Sequence, residues 1–185
     1  MIVALIKLLT FFLRRFTSYS ATALPGLLIE KYFPATASKL FSQLDQVVVV
    51  TGTNGKTTTV HMISLLLRQY DMPFITNRSG SNMTRGLLSA LVDQSNWRGV
   101  ISTKLAVLEV EEATLPRLVK HMKPQTIVVT NIYRDQLDVY GEIDKTFEYL
   151  ATAIKESNNP NLVLNGDDER VLKLSEFSKG KMSLI

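Results

Sequence analysis

Cysteine is absent from this chain of 185 residues, and glycine and proline are scarce, at nine and six residues. Without cysteine the chain has neither a disulfide scaffold nor a thiolate metal site, which is typical of a reducing compartment. So little glycine and proline excludes a collagen-like or low-complexity chain. The excess of positive charge is also small, at +4, which is too little to predict nucleic-acid binding. What remains is the composition of a globular domain, with 45% hydrophobic residues.

The first sixteen residues, MIVALIKLLTFFLRRF, form an apolar run that Lys7 interrupts. The run is shorter than the ~20 residues that a membrane-spanning helix needs. Its paired charges, Arg14 and Arg15, come after the apolar residues, whereas a secretory signal carries positive charge before them. Three interpretations stay open for residues 1–16: a helix packed on the protein body, an amphipathic helix that contacts a membrane surface, or a signal or anchor.

Strand and helix patterns alternate from Gln46 onwards. The β-branched run Val47–Val50 is typical of a strand buried on both faces of a parallel sheet. Further strands are predicted at Phe74–Thr76, Leu105–Val110, Ile127–Thr130 and Leu162–Leu164, with helices at His61–Tyr70, Leu87–Asp93 and Lys145–Glu156. The alternation predicts an α/β fold in which a P-loop-type, mostly parallel sheet is flanked by helices. Residues 46–185 are expected to form this domain, and residues 1–45 a helical arm with a Pro25-Gly26 turn before a short helix.

The sharpest motif is TGTNGKTTT at Thr51–Thr59, between a strand and a helix. Such a turn directs backbone N–H groups and the positive end of the helix dipole at one point, which favours phosphate. Gly52 and Gly55 permit close approach of the backbone, Lys56 can reach phosphate oxygens, and the Thr57 hydroxyl can bind Mg²⁺. The first glycine lies two positions later than in the general pattern G-x-x-x-x-G-K-[ST], so the loop is a variant, and an ordinary strand-to-helix turn is the alternative. The predicted nucleotide-binding residues are Gly52, Thr53, Asn54, Gly55, Lys56, Thr57 and Thr58, with Lys56 as the catalytic residue.

Acidic residues follow the predicted strand LAVLEV, whose carboxyl end lies at the edge where open α/β sheets bind ligands. A magnesium ion at a phosphate loop usually needs such an acid besides the Thr57 hydroxyl. Glu109 ends the strand and is the predicted magnesium ligand together with Thr57. Glu111 and Glu112 compete for this role, and a solvated loop position is the alternative for each of them.

Two further polar clusters follow predicted strands. The cluster at Thr130–Asp138 (TNIYRDQLD) contains candidate site residues, or it is a capped turn in which Asn131 or Asp135 caps the next helix. The second cluster, NGDD at Asn165–Asp168, fits a turn with a helix N-cap and a nucleotide contact equally well.

Taken together, these motifs resemble the central ATP-binding domain of the Mur ligase family over residues 46–168. The resemblance rests on TGTNGKTTT, on TN-x-x-x-D-x-x-D and on NGDD. Two longer segments, NRSGSNMTRG at Asn77–Gly86 and NIYRDQLDVYGEID at Asn131–Asp144, are similar to the MurT subfamily, as is the early LPG at Leu24–Gly26. Gln136 stands where most amino-acid-adding members have a histidine that helps to hold a second magnesium ion, which favours MurT.

The resemblance implies an ATP-dependent carbon–nitrogen ligase of peptidoglycan synthesis that uses ATP and Mg²⁺ and activates a carboxylate as an acyl phosphate. A MurT-type subunit would amidate the D-glutamate α-carboxyl of the lipid II stem peptide to D-isoglutamine, with ammonia from a GatD-type glutaminase. It implies a cytoplasmic protein without a nucleic-acid partner, and it leaves open a contact of residues 1–16 with the inner face of the membrane. Substrate-binding or supporting roles are suggested for Asn82, Asn131, Arg134, Asp135 and Gln136.

Proteins of the MurT subfamily are much longer, and their Cys₄ zinc ribbon and C-terminal domain would follow this segment. We therefore expect an N-terminal portion, incomplete at its C-terminus, with zinc only in a downstream segment. Such a portion is expected to bind ATP weakly and not to amidate lipid II alone. Two alternatives stay open: another ATP-dependent amide ligase of the Mur ligase or folylpolyglutamate synthase type, and a catalytically inactive nucleotide-binding fragment.

Overall fold

The computed structural model describes residues 2–16, 23–77, 83–133 and 142–185. Three helices come first: α1 (Ile2–Phe16), α2 (Leu24–Tyr32) and α3 (Pro34–Phe41). Strands and helices then alternate as β1 (Gln46–Thr51), α4 (Lys56–Gln69), β2 (Phe74–Ile75), α5 (Thr84–Gln94), β3 (Leu105–Glu109), α6 (Leu115–Leu118), β4 (Thr126–Val129), α7 (Glu142–Glu156), β5 (Asn161–Leu164), α8 (Glu169–Lys173), a 3₁₀ turn at Leu174–Phe177, and β6 (Met182–Leu184). Every strand and helix that the sequence predicts from Gln46 onwards is present, with ends that differ by a few residues.

The strands of the described residues form one parallel sheet in the order β2-β3-β1-β4-β5-β6. The strand β1 lies between β3 and β4, and both pairings are parallel: Val50 lies opposite Glu109, and Thr51 lies opposite Val129. The predicted parallel α/β sheet is therefore confirmed. Because the carboxyl ends of parallel strands meet at one edge of a sheet, the residues that follow β1, β3 and β4 converge there.

Both faces of the sheet are covered, as the sequence of β1 predicts. Val47 and Val49 belong to the larger core cluster, which also contains buried residues of α5 and α7. Val50 belongs to a smaller cluster on the other face, with Val60 of α4 and with Val107 and Val128 of the neighbouring strands. Burial on both faces explains why β1 is a continuous hydrophobic run rather than an alternation of apolar and polar residues.

The start of α2 corrects one prediction. Pro25-Gly26 is not a turn before a helix but lies within the first turn of α2, which begins at Leu24. Proline is tolerated there because the first N–H groups of a helix have no partner within it. Gly26 lets α2 approach α5 closely: its N–H donates to Ser89 Oγ at 2.9 Å, and a Cβ atom there would lie 1.8 Å from Arg85 O. The Pro-Gly pair therefore serves helix packing instead of chain reversal.

Among the described side chains of α1, those of one face pack on the body. Val3 and Ile6 are buried in the larger core cluster, and Lys7 Nζ donates to Ser95 O. Burial lowers the pKa of Lys7 from its ordinary value, an effect that the charge of Asp93 opposes. Exposed large apolar residues of α1 include Leu5, Leu8, Leu9, Phe11 and Phe12. The division of the chain into an arm over residues 1–45 and a domain over residues 46–185 stays a prediction.

The length and composition of the helices decide whether any of them could span a membrane. Across the four described ranges, no helix is both long enough and apolar enough to cross a membrane.

Candidate nucleotide-binding site

The loop between β1 and α4 requires glycine at Gly52. This residue has a φ of 119°, a backbone conformation that side chains with a Cβ rarely adopt. A Cβ atom at Gly52 would also lie 2.4 Å from Thr130 Oγ1 and 2.8 Å from Asn131 O. Gly55 has a φ of 84° and precedes Lys56, the first residue of α4. The two glycines therefore let the chain reverse from the strand into the helix while it contacts the loop after β4.

The side chain of Lys56 lies along this loop. Its Nζ donates to Gly52 O at 2.6 Å and to Thr53 O at 3.1 Å, and it forms an ion pair with Glu112 Oε1 at 3.1 Å. The same Glu112 oxygen accepts the N–H of Gly52 at 3.0 Å. The side chains of Lys56 and Glu112 are both largely buried, with 13% and 14% of their surface exposed. The ammonium group of Lys56 and the N–H of Gly52 therefore lie close together, because both donate to the same carboxylate oxygen of Glu112.

The contact of Glu112 with this loop was missed by the sequence prediction, which named Glu112 only as a competing magnesium ligand. The signal in the sequence was the acidic sequence EVEE at the end of a buried strand. The prediction failed because residues 112–114 form a turn after β3, so the alternation of side chains along a strand no longer applies. The side chain of Glu112 is thereby brought to the loop.

Thr57 and Glu109 lie together, as predicted. Thr57 Oγ1 donates to Glu109 Oε1 at 3.0 Å. The buried side chain of Asn77 fixes the backbone of Glu109: it donates to Glu109 O at 2.8 Å and accepts from Glu109 N at 2.9 Å. Asn77 thus stabilises the end of β3 at the sheet edge, although the sequence singled it out only as part of a longer motif.

The pair Thr57 and Glu109 fits a magnesium ion in its donor chemistry. Mg²⁺ takes oxygen ligands and usually binds through one or two protein groups, with water and substrate phosphates completing the set. No group of three or more His, Cys, Asp and Glu residues within the described ranges is arranged to hold a metal. The assignment of Thr57 and Glu109 as metal ligands stays a prediction.

The loop after β4 holds the loop between β1 and α4 in shape. Asn131 Oδ1 accepts from Asn54 N at 2.9 Å, and its Nδ2 donates to Asn54 O at 3.1 Å. Thr130 Oγ1 donates to the same Asn54 carbonyl at 2.7 Å, and Tyr133 N donates to Thr53 Oγ1 at 3.0 Å. The side chain of Asn131 therefore binds the backbone of Asn54 through two hydrogen bonds. It does not cap a helix, which corrects the alternative in which Asn131 is an N-cap.

The NGDD sequence forms the turn and the helix cap that were one of its two interpretations. Asp168 Oδ1 accepts the N–H groups of Arg170 and Val171 at the start of α8, at 3.0 and 3.3 Å. Its Oδ2 accepts the N–H of Ile132 at 3.0 Å. Because both oxygens are engaged, Asp168 joins α8 to the loop after β4.

A cavity of about 200 Å³ opens beside Glu112 at this edge of the sheet. Its described lining includes Thr53, Glu111, Glu112, Tyr133, Lys145 and Tyr149. Glu111 therefore faces this cavity, whereas Glu109 contacts Thr57.

The structure brings most of the predicted site residues to one place. Gly52 to Thr58 form the loop and the first turn of α4, with Thr57 against Glu109 and Thr58 exposed. Asn131 contacts the loop directly. Four predicted residues, Asn82, Arg134, Asp135 and Gln136, lie outside the described residues.

The parallel sheet, the glycine-containing loop between a central strand and a helix, and the Thr57–Glu109 pair at the neighbouring strand define the class: an α/β domain of the P-loop type. The family model described as the Mur ligase middle domain matches residues 50–184, and the chain belongs to the Mur ligase family.

Two curated relatives are subunits named lipid II isoglutaminyl synthase (glutamine-hydrolyzing) subunit MurT. The one from Staphylococcus aureus strain N315 is 39% identical over 153 residues, which is 83% of this chain and 34% of the relative. The one from Streptococcus pneumoniae strain ATCC BAA-255 / R6 is 38% identical over 122 residues, which is 66% of this chain and 27% of the relative. The chain thus spans about a third of the length of these relatives or less.

The fold is also that of solved Mur ligases. The structure of MurF ligase from Thermotoga maritima in complex with ADP superposes with a TM-score of 0.68 at 22% identity, over 91% of this chain and 37% of that chain. At this identity the likeness shows the fold alone. It confirms the predicted Mur ligase central-domain architecture.

Proposed function

We propose that this chain is the ATP-binding portion of a MurT-type subunit. With ammonia from a GatD-type glutaminase, that subunit amidates the D-glutamate α-carboxyl of the lipid II stem peptide to D-isoglutamine. The observation that carries the proposal is the phosphate loop of Gly52–Thr58 with the Thr57–Glu109 pair, in a chain 39% identical to a MurT subunit. The similarity to MurT favours amidation over amino-acid addition.

The chemistry requires a carboxylate to become an electrophile. A carboxylate oxygen attacks the γ-phosphorus of ATP, the bond to the ADP oxygen breaks, and an acyl phosphate forms. Ammonia then attacks the acyl carbon, phosphate leaves with the bonding electrons, and the nitrogen loses a proton to give the amide. In each step the negative charge on the phosphate oxygens is redistributed. Cations and N–H groups that are held in position stabilise this charge.

The residues of the loop divide this work between them. The backbone N–H groups of Gly52, of Gly55 and of the start of α4 would bind the phosphates, and Lys56 would place its charge on the transferred phosphoryl group. Thr57 and Glu109 would hold Mg²⁺, which supplies further positive charge at the phosphates. Asn131 would act indirectly, since it holds Asn54 in the loop.

The experiment uses Staphylococcus aureus MurT in which the matching 153-residue segment is replaced by that of this chain. The hybrid is incubated with GatD, glutamine, ATP and lipid II, and phosphate release and the stem peptide are measured by a coupled assay and mass spectrometry. We expect D-isoglutamine in proportion to phosphate released. A hybrid that binds ATP but attaches free amino acids, or releases no phosphate with lipid II, contradicts the proposal. The present chain alone is expected to bind ATP without amidating lipid II.

We also propose that α1 contacts the surface of the membrane that holds lipid II. Its exposed side chains include Leu5 at 63% and Phe11 at 61% exposure, and Trp97, at 59%, lines the same cavity as Phe11. Residues 1–45 carry five Lys and Arg and two Asp and Glu, so they hold +3 of the net charge of +4. An exposed apolar helix face with excess positive charge is typical of helices that lie on anionic membranes.

Vesicle sedimentation tests this contact. We expect the chain to sediment with vesicles that contain phosphatidylglycerol and to bind less to purely zwitterionic vesicles. The double variant Leu5→Glu/Leu8→Glu should lose binding, because two charges would enter the apolar layer. The control Leu65→Glu, at an exposed site on α4, should retain it. Equal binding by all three proteins would contradict the proposal.

A further inference from the structure

The carboxylate of Glu112 occupies the donors that the proposed function assigns to phosphate. One oxygen, Oε1, accepts both the N–H of Gly52 at 3.0 Å and the ammonium of Lys56 at 3.1 Å. We propose that Glu112 is an internal substitute for a phosphate group, which holds the loop in its binding shape until a nucleotide binds and must then leave. This inference rests on the proposed binding of ATP and adds a residue that sets the affinity of that site.

The geometry makes Glu112 and a phosphate competitors. Carboxylate and phosphate oxygens are both anionic acceptors, and each forms short, charge-assisted hydrogen bonds with backbone N–H and ammonium groups. Lys56 also donates to Gly52 O and Thr53 O, so its side chain remains held when the carboxylate departs. Occupation of the loop by Glu112 thus preserves the positions of the donors and lowers the net affinity for a ligand.

Charge repulsion makes departure of Glu112 necessary. With only 14% of its side chain exposed, Glu112 is poorly screened by solvent, and the polyphosphate of a nucleotide would lie within a few ångströms of it. The carboxylate cannot remain on Lys56 and Gly52 while phosphate oxygens take the same donors. A second location for it is therefore required.

The cavity beside the loop supplies that second location. Glu112 and Lys145 line the same cavity of about 200 Å³. Rotation of the Glu112 side chain can therefore move its carboxylate from Lys56 to Lys145. Lys145 lies in the first turn of α7 and is exposed. Glu111 lines the same cavity, and in the described residues it has no hydrogen bond to the loop, which makes it a matched control for charge.

The test measures binding of Mg·ATP and of inorganic pyrophosphate to the present chain by calorimetry. Glu112→Gln keeps the size of the side chain but removes its charge, so both ligands should bind about tenfold more tightly, equivalent to ~1.4 kcal/mol. Glu111→Gln should stay within about twofold of wild type, since it removes the same charge from the same cavity without freeing a donor. Lys145→Met should weaken binding in the wild-type background and have no effect in the Glu112→Gln background, because its role is to receive the displaced carboxylate.

Each outcome separates this inference from the proposed function. If wild type binds the ligands and Glu112→Gln binds them with equal or lower affinity, the inference is overturned, but the proposal that the loop binds ATP stands. Absence of binding by both proteins overturns both, whereas binding by Glu112→Gln alone supports both. Thermal unfolding checks that each variant is folded, and Glu112→Ser, which withdraws the carboxylate by shortening the side chain, should give the same tightening if Glu112→Gln does not fold.

Discussion

Replacement of Lys56 by alanine is expected to abolish amidation by the MurT hybrid that carries this segment. The ammonium group would stabilise charge on the transferred phosphoryl group, and loss of such a charge-assisted contact costs about 3 kcal/mol or more at the transition state. The amidation rate should therefore fall by at least about a hundredfold. The rate is measured from phosphate released and D-isoglutamine formed, at saturating ATP.

The control for Lys56→Ala is Lys120→Ala, which removes the same charge from an exposed position after α6. It should leave the rate unchanged, since it lies away from the loop. Retention of more than about a tenth of the rate by Lys56→Ala would exclude the catalytic role, because a tenfold loss corresponds to only ~1.4 kcal/mol. Thermal unfolding checks that the variant is folded, because the Lys56 side chain is largely buried and makes three polar contacts.

Replacement of Glu109 by alanine should remove the magnesium dependence of nucleotide binding. Glu109 Oε1 lies 3.0 Å from Thr57 Oγ1, so the two oxygens can bind one ion together with phosphate. Loss of a residue that only supports a metal ligand typically costs 10–100-fold in metal affinity, so loss of a ligand itself should cost about that much or more. The measurement is a titration of Mg²⁺ at fixed ATP, in the present chain.

The matched control for Glu109→Ala is Glu111→Ala, two residues further along the chain. Glu111 lines the cavity beside Glu112, whereas Glu109 contacts Thr57, so removal of Glu111 should not change the Mg²⁺ titration. The opposite pattern, in which only Glu111→Ala loses the dependence, would show that the magnesium ligand is assigned two residues too early. Equal losses in both variants would indicate a general effect of negative charge rather than a bound ion.

The sequence predicts the central part of this fold because that part depends on local patterns. A β-branched run followed by two glycines, a lysine and a threonine specifies a buried strand, a tight turn and a helix start. Glu109 follows from the same argument, since it ends a strand whose carboxyl end must lie at the binding edge. These features require no knowledge of which strands are neighbours.

Strand order depends on where each crossover packs and could not be read from the sequence. Three elements, α3, α6 and β6, were also missed. The strand β6 is only three residues long, which is too short for an alternation of apolar and polar residues to identify a strand. Gly26 is a different case, because the Pro25-Gly26 pair favours a turn in the sequence, and only the close approach of Arg85 O shows why the helix needs a glycine here.

The contacts made by Asn77 and Glu112 are tertiary and explain why the site was predicted only in part. Asn77 forms two hydrogen bonds with the backbone of Glu109, 32 residues away. Glu112 reaches a loop 56 to 60 residues away because of the turn after β3. Both depend on β3 lying next to β1, which the sequence pattern alone does not establish.

The most direct test of the account is calorimetric titration of the present chain with ATP, in Mg²⁺ and again with Mg²⁺ removed by chelation, combined with hydrogen exchange. The account predicts saturable binding at one site that ADP displaces and that weakens without Mg²⁺, with protection of amides in Gly52–Thr58. No saturable heat from a folded chain, or binding that protects other amides and leaves Gly52–Thr58 unchanged, would contradict the claim that this loop binds the phosphates of ATP.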